Sequence, residues 1–194
     1  DTTAKNAAIN STINIIDADT PDYYAGFYFY VDNEDALADA DVCTVVVNIE
    51  NSDGVDFTYD TYYDGVSGAS DVITYNVNGL AMTYDYNELC SYAFETINVN
   101  IDGETALYYL GDDYSQGDAA MNIVANADLT AYETDLGYGL SDDVAVTVSG
   151  SGNVDLGYAY LGDGGADDVV TVDASALTGD FSIYDYYGYA ANII

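Results

Sequence analysis

A short β-branched run headed by an acidic residue recurs along this chain at nearly constant intervals, and that recurrence limits the fold more tightly than anything else. The clearest pair is Asp142-Asp143-Val144-Ala145-Val146-Thr147-Val148 and Asp167-Asp168-Val169-Val170-Thr171-Val172-Asp173. Weaker copies begin near Asp41, Asp71, Glu95 and Asp118, so the starts are 41, 71, 95, 118, 142 and 167, and successive differences are 30, 24, 23, 24 and 25. A regular period of this size marks one supersecondary unit repeated. Each unit reads as strand, short turn, strand, Gly/Asp loop. In the fifth unit Val144, Val146 and Val148 share a face, and beyond Ser149-Gly150-Ser151-Gly152-Asn153 the residues Val154, Leu156, Tyr158 and Tyr160 share another. Val45, Val47 and Ile49 relate in the same way to Val55, Phe57, Tyr59 and Tyr63. Alternating runs joined by a Gly-rich turn predict β-hairpins whose apolar faces meet in one core. The expectation is an all-β, antiparallel Ig-like β-sandwich over residues 21–194. A β-solenoid is the alternative that a period near 24 also permits. The units differ from one another more than stacked identical coils would, which favours the sandwich.

The N-terminal stretch follows a different plan. Ala7, Ile9, Ser11, Ile13 and Ile15 point one way in an extended chain, and Ala8, Asn10, Thr12 and Asn14 the other. That is the period of a half-buried strand. A polar tether, Asp17 to Asp22, separates it from the rest, so residues 1–20 read as a detached strand that could pair with its own domain or with a neighbour. Tyr23 to Val31 is aromatic on both faces and reads as a central strand covered on both sides. Asn33 to Ala40 reads as a short helical turn. The apolar end, Tyr189 to Ile194, is expected to pair into a sheet.

Charge excludes several functions. Thirty-five acidic residues face one basic residue, Lys5, with no His, for a formal net charge of -34. Nucleic acids and anionic membranes are bound through Lys and Arg, so neither is an expected partner. No apolar run is long enough to span a membrane. Asp1 reads as a mature start after export. Serine-triad, cysteine-protease and His-metal chemistry all need a His, and phosphate binding needs a Gly-rich loop with Lys. Enzymatic activity is therefore not expected. Calcium is a candidate ligand, because hard cations take oxygens from acidic loops. Its candidate ligands are Asp112, Asp113, Asp142, Asp143, Asp163, Asp167 and Asp168. Cys43 and Cys90 suit one disulfide in an oxidising compartment. Asn10-Ser11-Thr12 is an N-glycosylation sequon. The 22 Tyr suit half-buried sheet faces, subunit contacts or a platform for surface glycans.

Three resemblances bear on function. Gly162 to Asp168 resembles the Gly/Asp loops of secreted calcium-binding repeat proteins, without their strict nonapeptide. Asp168 to Gly179 looks like repeats of bacterial surface-layer and adhesin proteins, which implies an extracellular or cell-surface location. The layout of an alternating first strand, a tether and an acidic β domain resembles secreted pilus subunits that assemble by donor-strand exchange. It implies a homopolymer in which Ala7, Ile9, Ser11, Ile13 and Ile15 complete the sheet of another subunit. The competing expectations are a calcium-dependent carbohydrate-binding adhesin and a surface-layer subunit.

Overall fold

The computed structural model describes residues 9–18, 25–30, 43–60, 71–81, 87–113, 118–138, 143–162, 169–187 and 191–194. Sixteen strands follow one another: β1 (Ile9–Ile16), β2 (Ala25–Tyr30), β3 (Cys43–Asp53), β4 (Val55–Asp60), β5 (Val72–Ala81), β6 (Glu88–Tyr92), β7 (Thr96–Asp113), β8 (Ala119–Ala125), β9 (Leu129–Tyr138), β10 (Asp143–Gly150), β11 (Val154–Asp155), β12 (Tyr158–Leu161), β13 (Val169–Leu177), β14 (Phe181–Ser182), β15 (Asp185–Tyr187) and β16 (Ala191–Ile193). Every pairing among them is parallel. The molecule is a β-solenoid, and the antiparallel Ig-like sandwich is wrong.

The connection is what differs. The Gly150-Ser151-Gly152 turn does not fold β10 back onto β11. Instead β10 pairs with β8 and β13, the corresponding strands of the preceding and following coils, while β11 pairs with β9 and β14. The turn is a corner. Gly150 has φ 112°, and a Cβ there would overlap the carbonyl oxygen of Ala125 in the coil beneath. Only glycine fits a left-handed corner pressed against neighbouring backbone. The turn from β3 into β4 also uses positive φ, at Asn51 (φ 47°) near the end of β3 and at Gly54 (φ 68°).

Two ladders run the length of the solenoid. The first has the order β1-β3-β5-β7-β8-β10-β13-β16. The second joins β2, β4, β6, the C-terminal half of β7, β9, β12 and β15. In-register pairing turns alternation into columns. One inward column of the first ladder is Ser11, Val45, Ile73, Ile97, Met121, Val146, Val172 and Ile193. Its members from Val45 to Val172 are all fully buried. Columns through Ile49, Val77 and Ile101, and in the second ladder through Phe57, Leu89 and Leu110, close the same core. Aromatic packing crosses between ladders, with Phe57 edge-on to Tyr75 at 5.8 Å between ring centroids. Edge-to-face contact of this kind is favourable beyond the area it buries.

β2 is not a central strand. Among the described residues it pairs with β4 alone, and Tyr28 is 72% exposed. The helical turn expected at Asn33 to Ala40 lies outside the described residues.

Candidate functional site

Three central outward columns of the first ladder carry amides, hydroxyls and small apolar residues, with carboxylates such as Glu50 and Asp143 at the flanks. Asn14, Asn48, Asn76 and Asn100 are in register on successive strands. Asn48 donates to Asn14, Asn76 to Asn48, and Asn100 to Asn76, each through Nδ2 to Oδ1 at 2.8 Å. A parallel column places Asn98 between Thr74 and Asn122: Asn98 donates to Thr74 at 3.3 Å, Asn122 to Asn98 at 3.1 Å, and Thr147 to Asn122 at 2.8 Å. A further outward column is Asn10, Thr44, Val72, Thr96, Ala120, Ala145, Thr171 and Asn192. Across these three columns, Asp173 is the one charged residue. Sequence reasoning missed the amide ladder, although its mark was present in Ile13-Asn14-Ile15, Val47-Asn48-Ile49, Tyr75-Asn76-Val77 and Val99-Asn100-Ile101.

On another side of the solenoid four tyrosines stack along the axis. Tyr108 and Tyr132 lie 5.2 Å apart and nearly parallel at 12°. Tyr158 follows at 5.4 Å and Tyr184 at 5.2 Å, both steeply inclined. A sugar binds the open face of a ring, whereas facing each other occupies the inner faces of Tyr108 and Tyr132. This arrangement packs layer on layer, with Tyr132 52% and Tyr184 76% exposed.

The C-terminal layer exposes apolar side chains, whereas Ile15 in the N-terminal layer is buried. Among the described residues β1 pairs only with β3 and β2 only with β4, while β16 pairs only with β13, β15 only with β12 and β14 only with β11. Ile193 belongs to the column of Val172, which is fully buried, but is itself 53% exposed; Ile194 is 69% exposed. At the other end Phe29 packs on Phe57 and Tyr59 at 5.6 and 6.2 Å.

The expected donor strand is placed against its own chain. Ser11, Ile13 and Ile15 face inward beside Val45, Val47 and Ile49, with Ile15 buried. Ile9 is in register with Cys43, and Ala7 lies outside the described residues. The tether begins docked, since Asp17 donates its N–H to the Glu50 carbonyl at 3.0 Å and Ala18 accepts from the Asp53 N–H at 2.8 Å. Asn10 is exposed on the outer face.

The expected Cys43–Cys90 bridge is not formed: both are buried free thiols. Cys43 sits in the first ladder and Cys90 in the second, in register with Thr58 and Gly111. Burial, reinforced by the Asp71 carboxylate, pushes the Cys43 thiol up to about 12, partly offset by a hydrogen bond with Tyr59.

The calcium candidates among the described residues, Asp112, Asp113 and Asp143, belong to no metal-binding cluster. Asp112 is wholly buried and its Oδ2 accepts from Ser91 Oγ at 2.6 Å and Phe94 N at 3.1 Å, so it organises the chain inside the core. Asp143 is exposed and its Oδ1 accepts the Val169 N–H of the next coil at 2.9 Å. Asp113 ends β7. Asp142, Asp163, Asp167 and Asp168 lie outside the described residues. Among the described residues no cluster of three or more His, Cys, Asp or Glu could hold a metal ion, and no helix is long and apolar enough to cross a membrane. Asp56 and Glu88 are in register on β4 and β6. Burial raises both, and the charges of Asp56 and Glu133 raise Glu88 further.

Fold and surface together define a parallel β-solenoid with ladder-bonded outer columns. No family model, curated protein or solved structure matches the chain.

Proposed function

We propose that this protein is a structural subunit of an extracellular filament, built by copies stacking end to end. The single observation that carries the reading is the apolar outer edge of the C-terminal layer, where Ile193 continues the column of fully buried Val172 yet is 53% exposed and Ile194 is 69% exposed. β1, β2, β14 and β16 contain no charged residue and β15 only Asp185, in a chain of formal charge -34. The strands between them vary: β5, β8 and β12 carry no charge either, whereas β3 carries Glu50 and Asp53, and β7 carries Asp102, Glu104, Asp112 and Asp113. Soluble sheet proteins commonly protect their edges with charge. Here the end strands carry almost none, and the C-terminal one presents Ile193 and Ile194.

Parallel strands make the two ends complementary. The β16 end of one copy meets the β1 end of the next with strand direction preserved. Such a contact is heterologous and repeats without closing, which generates a filament. Each edge hydrogen bond contributes ~0.5–1.5 kcal/mol, and the exposed end of the core column becomes buried. The N-terminal strand thus reaches a neighbour through its free edge while staying paired to β3, rather than by insertion into a sandwich groove.

Negative-stain electron microscopy of the purified protein tests this. Uniform unbranched filaments are expected. Ile194 turns its N–H and C=O toward β13, as shown by its bonds to Val172 and Ala174 at 2.9 Å, so the backbone groups of Ile193 point to the outer edge. Ile193→Pro removes that outward N–H. The variant is expected to remain folded, to form no filaments, and to shorten wild-type filaments when added at a small fraction. Dispersed particles of the wild-type protein at every concentration would overturn the reading.

A further inference from the structure

We infer that the outer face of the first ladder is a lateral interface for a second copy of this chain, distinct from the end-to-end joint. Three observations lead there. First, the three central columns of the face hold one charged residue, Asp173, the exposed Glu50 and Asp143 standing at its flanks. Elsewhere the copies repel, so this is the side on which two of them approach at least electrostatic cost. Second, the hydrogen bonding of the face is incomplete by design. Asn76 gives one N–H to Asn48 and receives one from Asn100. A primary amide has two N–H donors and two lone pairs, so each ladder member keeps outward capacity. Third, the face is periodic. Its columns repeat at the strand spacing of ~4.8 Å, and a second copy offers the same period. Two such faces meet in register along their whole length, amide row against amide row, which an aperiodic partner cannot do.

The area is sufficient. Eight strands in the ladder span roughly 34 Å at ~4.8 Å per step, and three outward columns cover roughly 18 Å including side chains. That is about 600 Å² per copy and about 1,200 Å² for a pair, which reaches the range of specific protein–protein interfaces. In-register side-chain ladders also favour the low twist that keeps a sheet face flat enough to pair.

The inference does not depend on filament growth, because it is tested in the end-blocked Ile193→Pro chain. Sedimentation velocity and equilibrium are expected to show a dimer. Val124 is 39% exposed and Ala145 is exposed on the face. Val124→Glu with Ala145→Glu places like charges across the interface and is expected to weaken the dimer ~10-fold or more. Thr130→Glu adds a charge at an exposed site on β9, outside this face, and is expected to leave it intact. Ala145→Glu alone, with a melting curve matching its parent, covers the case in which the double variant misfolds. An end-blocked chain that stays monomeric, or a dimer equally weakened by Thr130→Glu and the face variants, would overturn the inference.

Discussion

Glu95 shows how one side chain can tie successive coils to pH. Its Oε2 accepts the Asp71 N–H at 2.8 Å, and Asp71 Oδ1 in turn accepts the Cys43 N–H at 2.6 Å. Three strand entries are thereby linked by two carboxyl groups. Burial, with the nearby Asp71 charge, pushes Glu95 from 4.5 up to about 7, although backbone hydrogen bonds from Asp71 and Glu95 pull it down. A carboxyl group raised in the folded state binds more protons folded than unfolded in the interval between those two values. Its contribution to stability is therefore fully present below about 4.5 and is lost as pH rises through about 7. Glu95→Gln keeps a carbonyl acceptor for Asp71 N–H and removes the titration. Thermal melts between about pH 5 and about pH 8 should show the wild type losing stability relative to the variant as pH rises. Parallel curves for the two proteins would refute the assignment.

At the scale of the strand, the asparagine ladder is a stabilising element in its own right. Asn76→Ala removes two ladder bonds, and at ~0.5–1.5 kcal/mol each the expected loss is about 1–3 kcal/mol. Thr130→Ala, exposed and outside the ladder, should stay within about 0.5 kcal/mol. Urea unfolding midpoints compare the two directly; equal midpoints would mean the amides bond as well to water as to each other. The same ladder explains what the sequence revealed and what it concealed. Alternation identified the inward residues, such as Val45, Val47 and Ile49 or Val144, Val146 and Val148, because period 2 holds for any half-buried strand. The repeat interval was legible too. What alternation does not encode is the partner, since a Gly-rich break such as Gly150-Ser151-Gly152 serves a hairpin or a corner equally well. The deciding signal was identity between coils, the apolar-Asn-apolar triplets centred on residues 14, 48, 76 and 100. Their unequal spacings, 34, 28 and 24, disguised the stack, because loops of different length connect strands in exact register. The ends were concealed for a related reason: an aromatic run such as Phe27 to Tyr30 reads the same whether it is covered on both edges or one.

For the molecule as a whole, the question is how a chain of charge -34 could join itself. Lys5 is its only basic side chain, so salt bridges between copies cannot supply the attraction. The proposed joints must instead work by backbone pairing and apolar burial at neutral surfaces, against repulsion between the acidic bodies on either side. This fixes the sign of the salt dependence. Raising ionic strength from about 0.01 M to about 0.15 M shortens the Debye length from ~30 Å to ~8 Å. Repulsion between flanking coils is then screened, while edge hydrogen bonds and the burial of Ile193 and Ile194 are little changed. The concentration at which filaments appear, followed by light scattering, should fall as salt rises, and Ile193→Pro should scatter no more at high salt than at low. A threshold that rises with salt would mean that copies are held by attractive charge contacts. The end strands could not then be the joint.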